Sequence, residues 1–93
     1  MTIGSLTVDI EVPESQSLKD KRHVVRSLVE SIRGKFNVSA AEVGNLELWQ
    51  RATLAFVIVA NDRVFVEQVL SKVESTIESE PRCRIIDSET ELI

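Results

Sequence analysis

A chain of 93 residues, with 43% hydrophobic and 28% charged residues, has the composition of one globular domain, which we expect to span residues 1–93. It contains no apolar run of about 18 residues that could span a membrane, and its start lacks the pattern of a secretory signal. The net charge of −4 argues against bulk, non-specific attraction to nucleic acid, and the single cysteine, Cys83, fits a reducing compartment. We therefore expect a cytoplasmic protein.

The first half of the chain predicts a strand, a helix and a second strand. Apolar and polar residues alternate strictly over Leu6–Val12, which is typical of a half-buried strand, and a proline follows. Ser17 and Asp20 match the capping-box pattern, so we expect a helix over about 18–35 with one apolar stripe. Val38–Val43 predicts the second strand.

The second half predicts a third strand over about Leu48–Ala60, a helix over about 63–79 and a last strand over 84–92. The third strand is apolar without alternation from Leu54 onward, which indicates a central strand covered on both faces. The order βαββαβ predicts an α+β fold of the ferredoxin-like type. This is a two-layer sandwich in which a four-stranded antiparallel sheet carries both helices on one face.

Residues for most catalytic and metal chemistry are missing. No spacing brings the one histidine, His23, to the one cysteine, so we expect neither nucleophilic catalysis nor a zinc site. The three glycines are too far apart to form a phosphate-binding loop, and we expect no cofactor. Asp9 and Glu11 share one strand face and leave acid–base catalysis open, although a solvated strand face explains them as well.

The order βαββαβ also belongs to RNA-recognition domains, whose third strand carries aromatic residues that stack bases. In this sequence Leu54 and Val59 stand where those aromatic residues should be. We therefore predict that Phe56 is a core residue and not part of an RNA platform.

The predicted first helix carries a basic face. At about 100° per residue, four basic side chains fall in one sector about 60° wide beside the apolar stripe: Lys19, Arg22, Arg26 and Arg33. Such a face could bind phosphates, and a merely solvated helix face is the alternative. Lys21 falls within the apolar sector instead, so we expect its stem to pack while its ammonium reaches the sheet edge.

Four blocks resemble signature blocks of the YlxP-like family of small bacterial proteins of unknown function: Ser17–Arg22, Phe36–Ser39, Trp49–Ala52 and Asn61–Arg63. The resemblance covers nearly the whole chain and implies a ferredoxin-like fold. It also implies a role linked to RNA or the ribosome, because genes of the family often neighbour those of translation initiation and ribosome-binding factors. Carried over by position, the characteristic residues are Ser17, Lys19, Lys21, Arg22, Trp49, Gln50, Arg51 and Asn61.

The leading hypothesis is a non-catalytic module that associates with RNA or the ribosome, in translation or ribosome maturation. Trp49 would stack or anchor, and the phosphate contacts would come from Lys19, Lys21, Arg22, Arg26, Arg33 and Arg51. The first alternative is a protein-interaction module that forms a homodimer through the open face of its sheet. The remote alternative is a small enzyme that uses Asp9 and Glu11.

Overall fold

Six elements follow one another in the order strand, helix, strand, strand, helix, strand. The computed structural model describes every residue from Met1 to Ile93. Its elements are β1 (Thr2–Glu11), α1 (Leu18–Lys35), β2 (Ser39–Gly44), β3 (Arg51–Ala60), α2 (Arg63–Glu78) and β4 (Arg84–Leu92). The strands form one antiparallel sheet in the order β2-β3-β1-β4. The predicted α+β fold of the ferredoxin-like type is confirmed.

The core lies between the helices and one face of the sheet. Alternation along β1 and β3 places Leu6 opposite Phe56 and Val8 opposite Leu54, and all four side chains are fully buried. The apolar stripes of the two helices cover them with the helical core residues Val24, Val25, Leu28, Val29, Ile32, Val66, Val69, Leu70, Val73 and Ile77. Each such side chain contributes roughly 1.5–3 kcal/mol to folding. The prediction that Phe56 is a core residue is confirmed.

Local hydrogen bonds fix the start of each helix. The Ser17 Oγ accepts from the backbone N–H of Asp20 at 3.0 Å, and the Asp20 carboxylate accepts from the backbone N–H of Gln16 at 3.1 Å. The carboxylate of Asp62 caps α2 in the same way, at 3.0 Å from the backbone nitrogen of Val64. Each cap satisfies an amide that lacks a partner within the helix. Neither helix is long and apolar enough to cross a membrane.

Two predicted strand boundaries are wrong. β1 begins at Thr2 and not at Leu6, because its first residues pair with β3 and β4 although Gly4 interrupts the apolar alternation. Gly4 occupies a core-facing position where α2 comes so close that a Cβ atom would overlap Cγ1 of Val66. β3 begins at Arg51, and residues 48–50 belong to the loop before it.

The second face of the sheet carries no helix. On β3 this face presents Ala55, Val57 and Val59, and the exposed fractions of the two valines are 42% and 61%. The prediction that β3 is covered on both faces is therefore wrong for the single chain. The long apolar run reflects one buried face and one open face that is also apolar.

Candidate nucleic-acid interface

A groove of about 300 Å³ separates α1 from the edge strand β2. Arginine side chains line its helical wall at positions 22, 26 and 33. These positions lie four and seven residues apart, so they recur on the same side of the helix. The predicted alignment of the three arginines is confirmed. Lys19, one turn before Arg22, is exposed as well, and we call these four residues the basic row: Lys19, Arg22, Arg26 and Arg33.

None of the four residues in the basic row belongs to an ion pair. The ion pairs of the molecule join Lys21 to Glu42, Arg63 to Glu67, Arg82 to Glu80 and Arg84 to Glu11. The Arg33 guanidinium donates a hydrogen bond to the carbonyl oxygen of Ala40 on β2, which covers part of that strand edge. No carboxylate therefore forms an ion pair with the basic row, on a protein whose net charge is −4. The acidic residue that flanks the row on α1 is Glu30.

Lys21 has a different position from its basic neighbours. Its side chain is fully buried, and its Nζ atom lies 2.7 Å from Oε2 of Glu42, 3.0 Å from the carbonyl oxygen of Asn45 and 3.2 Å from that of Leu46. An ammonium group has three donors, so all of them are used. The expectation that the stem packs while the ammonium reaches the sheet edge is confirmed. The prediction that Lys21 contacts phosphate is wrong, because no donor is left for a ligand.

The loop between β2 and β3, residues 45–50, is tied down at both ends. Asn45 adopts a left-handed backbone with φ of 57°, and its side-chain amide donates to Oγ1 of Thr53 at 3.0 Å. The backbone N–H of Leu48 donates to the carbonyl of Asn45 at 3.1 Å. At the other end, Nε2 of Gln50 donates to the carbonyl of Ser15 at 2.9 Å. We call residues 45–50 the tryptophan loop, because they carry the only tryptophan.

Although the tryptophan loop is fixed, its apolar side chains face solvent. Trp49 is 57% exposed, and Leu46 and Leu48 are each 48% exposed. The loop follows β2 directly and is joined through Lys21 to Glu42, which also lines the groove. The tryptophan loop therefore lies at the end of β2 that is held by Lys21, beside the first turn of α1, where the basic row begins.

The remaining residues of the predicted site are dispersed. Arg51 lies on the open face of the sheet opposite Glu11, so the sheet separates it from the basic row. Ser17 serves as the cap of α1, and Asn61 follows the far end of β3. The structure therefore does not unite Arg51 and Asn61 with the other predicted residues.

The two carboxylates considered for catalysis have ordinary partners on the open face. Oδ1 of Asp9 accepts from Oγ1 of Thr53 at 2.6 Å. Oε1 of Glu11 forms an ion pair with Arg84 at 2.8 Å. Each carboxylate is thus engaged by a side chain of a neighbouring strand.

The opposite edge of the molecule is acidic. A groove of about 320 Å³ between α2 and β4 is lined by Glu67, Glu74 and Glu78 together with Thr90. Since β2 and β4 are the two edges of the sheet, positive and negative charge lie at opposite edges. A polyanion is attracted to one edge and repelled from the other.

Some residues of the site went unnoticed in the sequence. Glu42, Leu46 and Leu48 carried no motif, and only the structure shows the partner of Lys21 and the exposure of both leucines. One signal was available, since a lysine within an apolar stripe requires an acceptor inside the fold.

The lone Cys83 is a buried core residue, and burial raises the pKa of its thiol to about 11.

Residues 3–90 match the model of a family described as a protein of unknown function, DUF503. The chain belongs to the DUF503 family. It is also 33% identical over 89 residues to the uncharacterized protein YlxP of Bacillus subtilis (strain 168), which covers 96% of this chain and 97% of that protein. In this DUF503 chain the signature residues Lys21 and Gln50 both secure the tryptophan loop, one at each end. The resemblance seen in the sequence is confirmed.

Proposed function

We propose that this DUF503 protein is a non-catalytic binding module that associates with RNA or the ribosome through the basic row. The observation that carries the proposal is the uncompensated charge of α1. Residues 17–36 hold six basic and two acidic residues, a charge of +4, so the other 73 residues carry −8. Lys21 is paired with Glu42, so the segment without Lys21 keeps a charge of +3. Basic side chains that are clustered on one face repel one another, and an anionic ligand relieves that repulsion.

Phosphate groups suit the shape and chemistry of this surface. Arginine offers several N–H donors in a planar fork that matches the oxygens of a phosphate. The basic row extends from Lys19 to Arg33, about 21 Å of helix, which is long enough for several consecutive phosphates. A backbone that follows the groove can meet one side chain after another.

Other parts of the molecule suit RNA less well. The sheet face used by RNA-recognition domains needs exposed aromatic residues, whereas Phe56 is fully buried beneath the helices. The acidic edge repels phosphate. We also infer that the protein acts by binding alone, since Asp9 and Glu11 are engaged with Thr53 and Arg84.

The experiment compares two double variants that remove the same charge. Arg22→Ala with Arg26→Ala removes the middle of the basic row, and Arg63→Ala with Lys72→Ala removes two exposed positive charges from α2. At low salt, the first variant should bind RNA and co-sediment with ribosomes several-fold more weakly than wild type. The slope of log affinity against log salt should fall by about one unit for each lost phosphate contact.

The α2 control should bind as wild type does, because it lies away from the basic row. Both variants should keep the free energy of unfolding within about 0.5 kcal/mol per substitution, as exposed changes usually do. Equal ribosome binding by wild type and the Arg22→Ala, Arg26→Ala variant would refute the proposal.

An apolar strip on the open face of β3 supports a second candidate function. Val57 and Val59 are exposed beside Ala41 and Ala55, and exposed apolar patches often mark interfaces. We propose as the alternative a homodimer through this strip. Sedimentation should then show a dimer that resists salt, and Val57→Asp should convert it to a monomer. A wild-type monomer at high protein concentration would reject this alternative.

A further inference from the structure

The tryptophan loop combines rigidity with exposed apolar surface. Lys21 donates to two backbone carbonyls at the start of the loop, and Gln50 at its end donates to the carbonyl of Ser15. The loop therefore has little conformational freedom to lose when it binds a ligand. The apolar side chains of the loop do not belong to the hydrophobic core, because Trp49, Leu46 and Leu48 are all about half exposed. A rigid, exposed indole is a preformed contact surface.

The same loop meets α1 at its first turn, where the basic row begins. Glu42 lines the arginine groove and accepts from Lys21, and Lys21 in turn holds the carbonyls of Asn45 and Leu46. A chain of phosphates that leaves the groove past Arg22 therefore arrives at the tryptophan loop. A single ligand that is anionic along its backbone and aromatic in its side groups satisfies both surfaces, and RNA is such a ligand.

We infer that the RNA bound at this site contains an unpaired nucleotide whose base stacks on Trp49 while the backbone follows the basic row. The inference rests on the proposed function and names the class of RNA. Bases within a duplex are already stacked and cannot reach a side chain, whereas unpaired bases are free to stack on an indole. Leu46 and Leu48 add exposed apolar surface to the same loop.

Lys21 is the positioning residue of this arrangement, although it cannot touch RNA. Its ammonium neutralises Glu42, whose carboxylate would otherwise repel phosphate within the groove. The same ammonium sets the path of the tryptophan loop through two carbonyls. Lys21 thus links the surface that binds the backbone to the surface that binds the base.

The test compares a short oligouridylate with a blunt RNA duplex of equal strand length. Trp49 is the only tryptophan, so its fluorescence reports contact directly. The oligouridylate should quench this emission and bind at least about fivefold more tightly than the duplex, since one stacked base contributes that much. The duplex should bind through the basic row alone and leave the emission unchanged.

Three variants test which residues cause the preference for unpaired RNA over duplex RNA. Trp49→Ala should lose the preference for the unpaired RNA, while its salt dependence stays the same because the phosphate contacts remain. Phe65→Ala removes another exposed aromatic side chain, at the start of α2, and should keep the preference. Lys21→Met with Glu42→Gln removes both charges of the ion pair together, so the fold is expected to survive. The loop loses its anchor, however, and the preference should disappear.

The outcomes separate the two proposals. Equal affinity for both RNAs, together with unchanged tryptophan emission, would overturn the unpaired nucleotide and leave the basic row as a binder of phosphate. A Trp49→Ala variant that loses ribosome binding but not oligouridylate binding would place a protein against the loop and likewise overturn it. Preserved preference in the Lys21→Met, Glu42→Gln variant would refute the positioning role. Absence of binding to either RNA would overturn the inference, and absence of ribosome co-sedimentation in addition would reject the proposed function.

Discussion

The ammonium of Lys21 lies 2.7 Å from the carboxylate of Glu42 and joins the first turn of α1 to the edge strand β2. Lys21 is the one charged residue of the chain that is completely buried. Its other two hydrogen bonds hold the tryptophan loop. One side chain of the core therefore determines the shape of a surface on the outside.

Lys21→Ala should destabilise the fold strongly, because it leaves Glu42 without a partner in a side chain that is only 15% exposed. Breaking a buried pair from one side costs about 3–5 kcal/mol, and we expect a loss near the lower bound. Replacing both partners, as in Lys21→Met with Glu42→Gln, should recover most of it. Urea unfolding of the three proteins measures these differences, and a loss below about 1 kcal/mol in Lys21→Ala would contradict the expectation.

Two glycine substitutions should have opposite signs. Gly4→Ala places a methyl group against Val66, Leu70 and Leu92, and overpacking of this kind costs about 1–3 kcal/mol. Gly34→Ala meets no atom within 4 Å in the last turn of α1, where alanine favours the helix by about 0.5 kcal/mol. Thermal unfolding of both variants tests the pair. Equal changes in the melting temperature of the two variants would mean that α2 moves away from β1 and makes room for the added methyl group at position 4.

Phe56→Ala should lower the free energy of unfolding by about 3–5 kcal/mol, because the ring is fully buried at the centre of the sheet. Any folded fraction should bind RNA as wild type does, since the buried ring is not part of the exposed basic row. Denaturant titration gives the first quantity, and RNA binding corrected for the folded fraction gives the second. An intact stability with lost RNA binding would show that Phe56 contacts RNA and is not a core residue.

The buried thiol of Cys83 should make stability depend on pH in the alkaline range. Burial, aided by the nearby carboxylate of Glu80, raises its pKa from 9.0 to about 11. Below about 9 the thiol is protonated in both states, and its contribution to stability is complete. Between about pH 9 and pH 11 the thiol ionises in the unfolded chain but stays protonated in the folded protein, which lowers the free energy of unfolding. The contribution of the thiol to stability is therefore lost as the pH rises through about 11. Comparison of wild type with Cys83→Ala isolates the effect, since other titrating groups are common to both. Parallel pH profiles would contradict it.

The periodicity of the sequence was sufficient to predict the order of the elements and the sandwich. It failed where a distant contact overrides local pattern. Gly4 breaks the alternation of β1 because α2 approaches it, and residues 48–50 lie outside β3, where Gln50 forms hydrogen bonds with Ser15 and Val12. In both cases the partner is distant in the chain, so alternation along the strand does not show it.

The candidate site was predictable to a similar extent. The angle of 100° per residue places three arginines on one side of α1, as the structure has them. Side chains alternate between the two faces of a strand, so Arg51 lies on the same open face of β3 as Val57, six residues later. This alternation separates Arg51 from the basic row. The environment of Glu42 required the strand order and could not be read from spacing.

The central place of β1 in the sheet bears on how the chain folds during its synthesis. β1 lies between β3 and β4, so residues 2–11 gain their second hydrogen-bonded neighbour only from residues 84–92. Until that segment has left the ribosome, the growing chain carries an unpaired edge flanked by apolar side chains such as Leu6 and Val8, which invites wrong pairing. Native structure is therefore expected to form late, in one step, once β4 is free to add to the sheet.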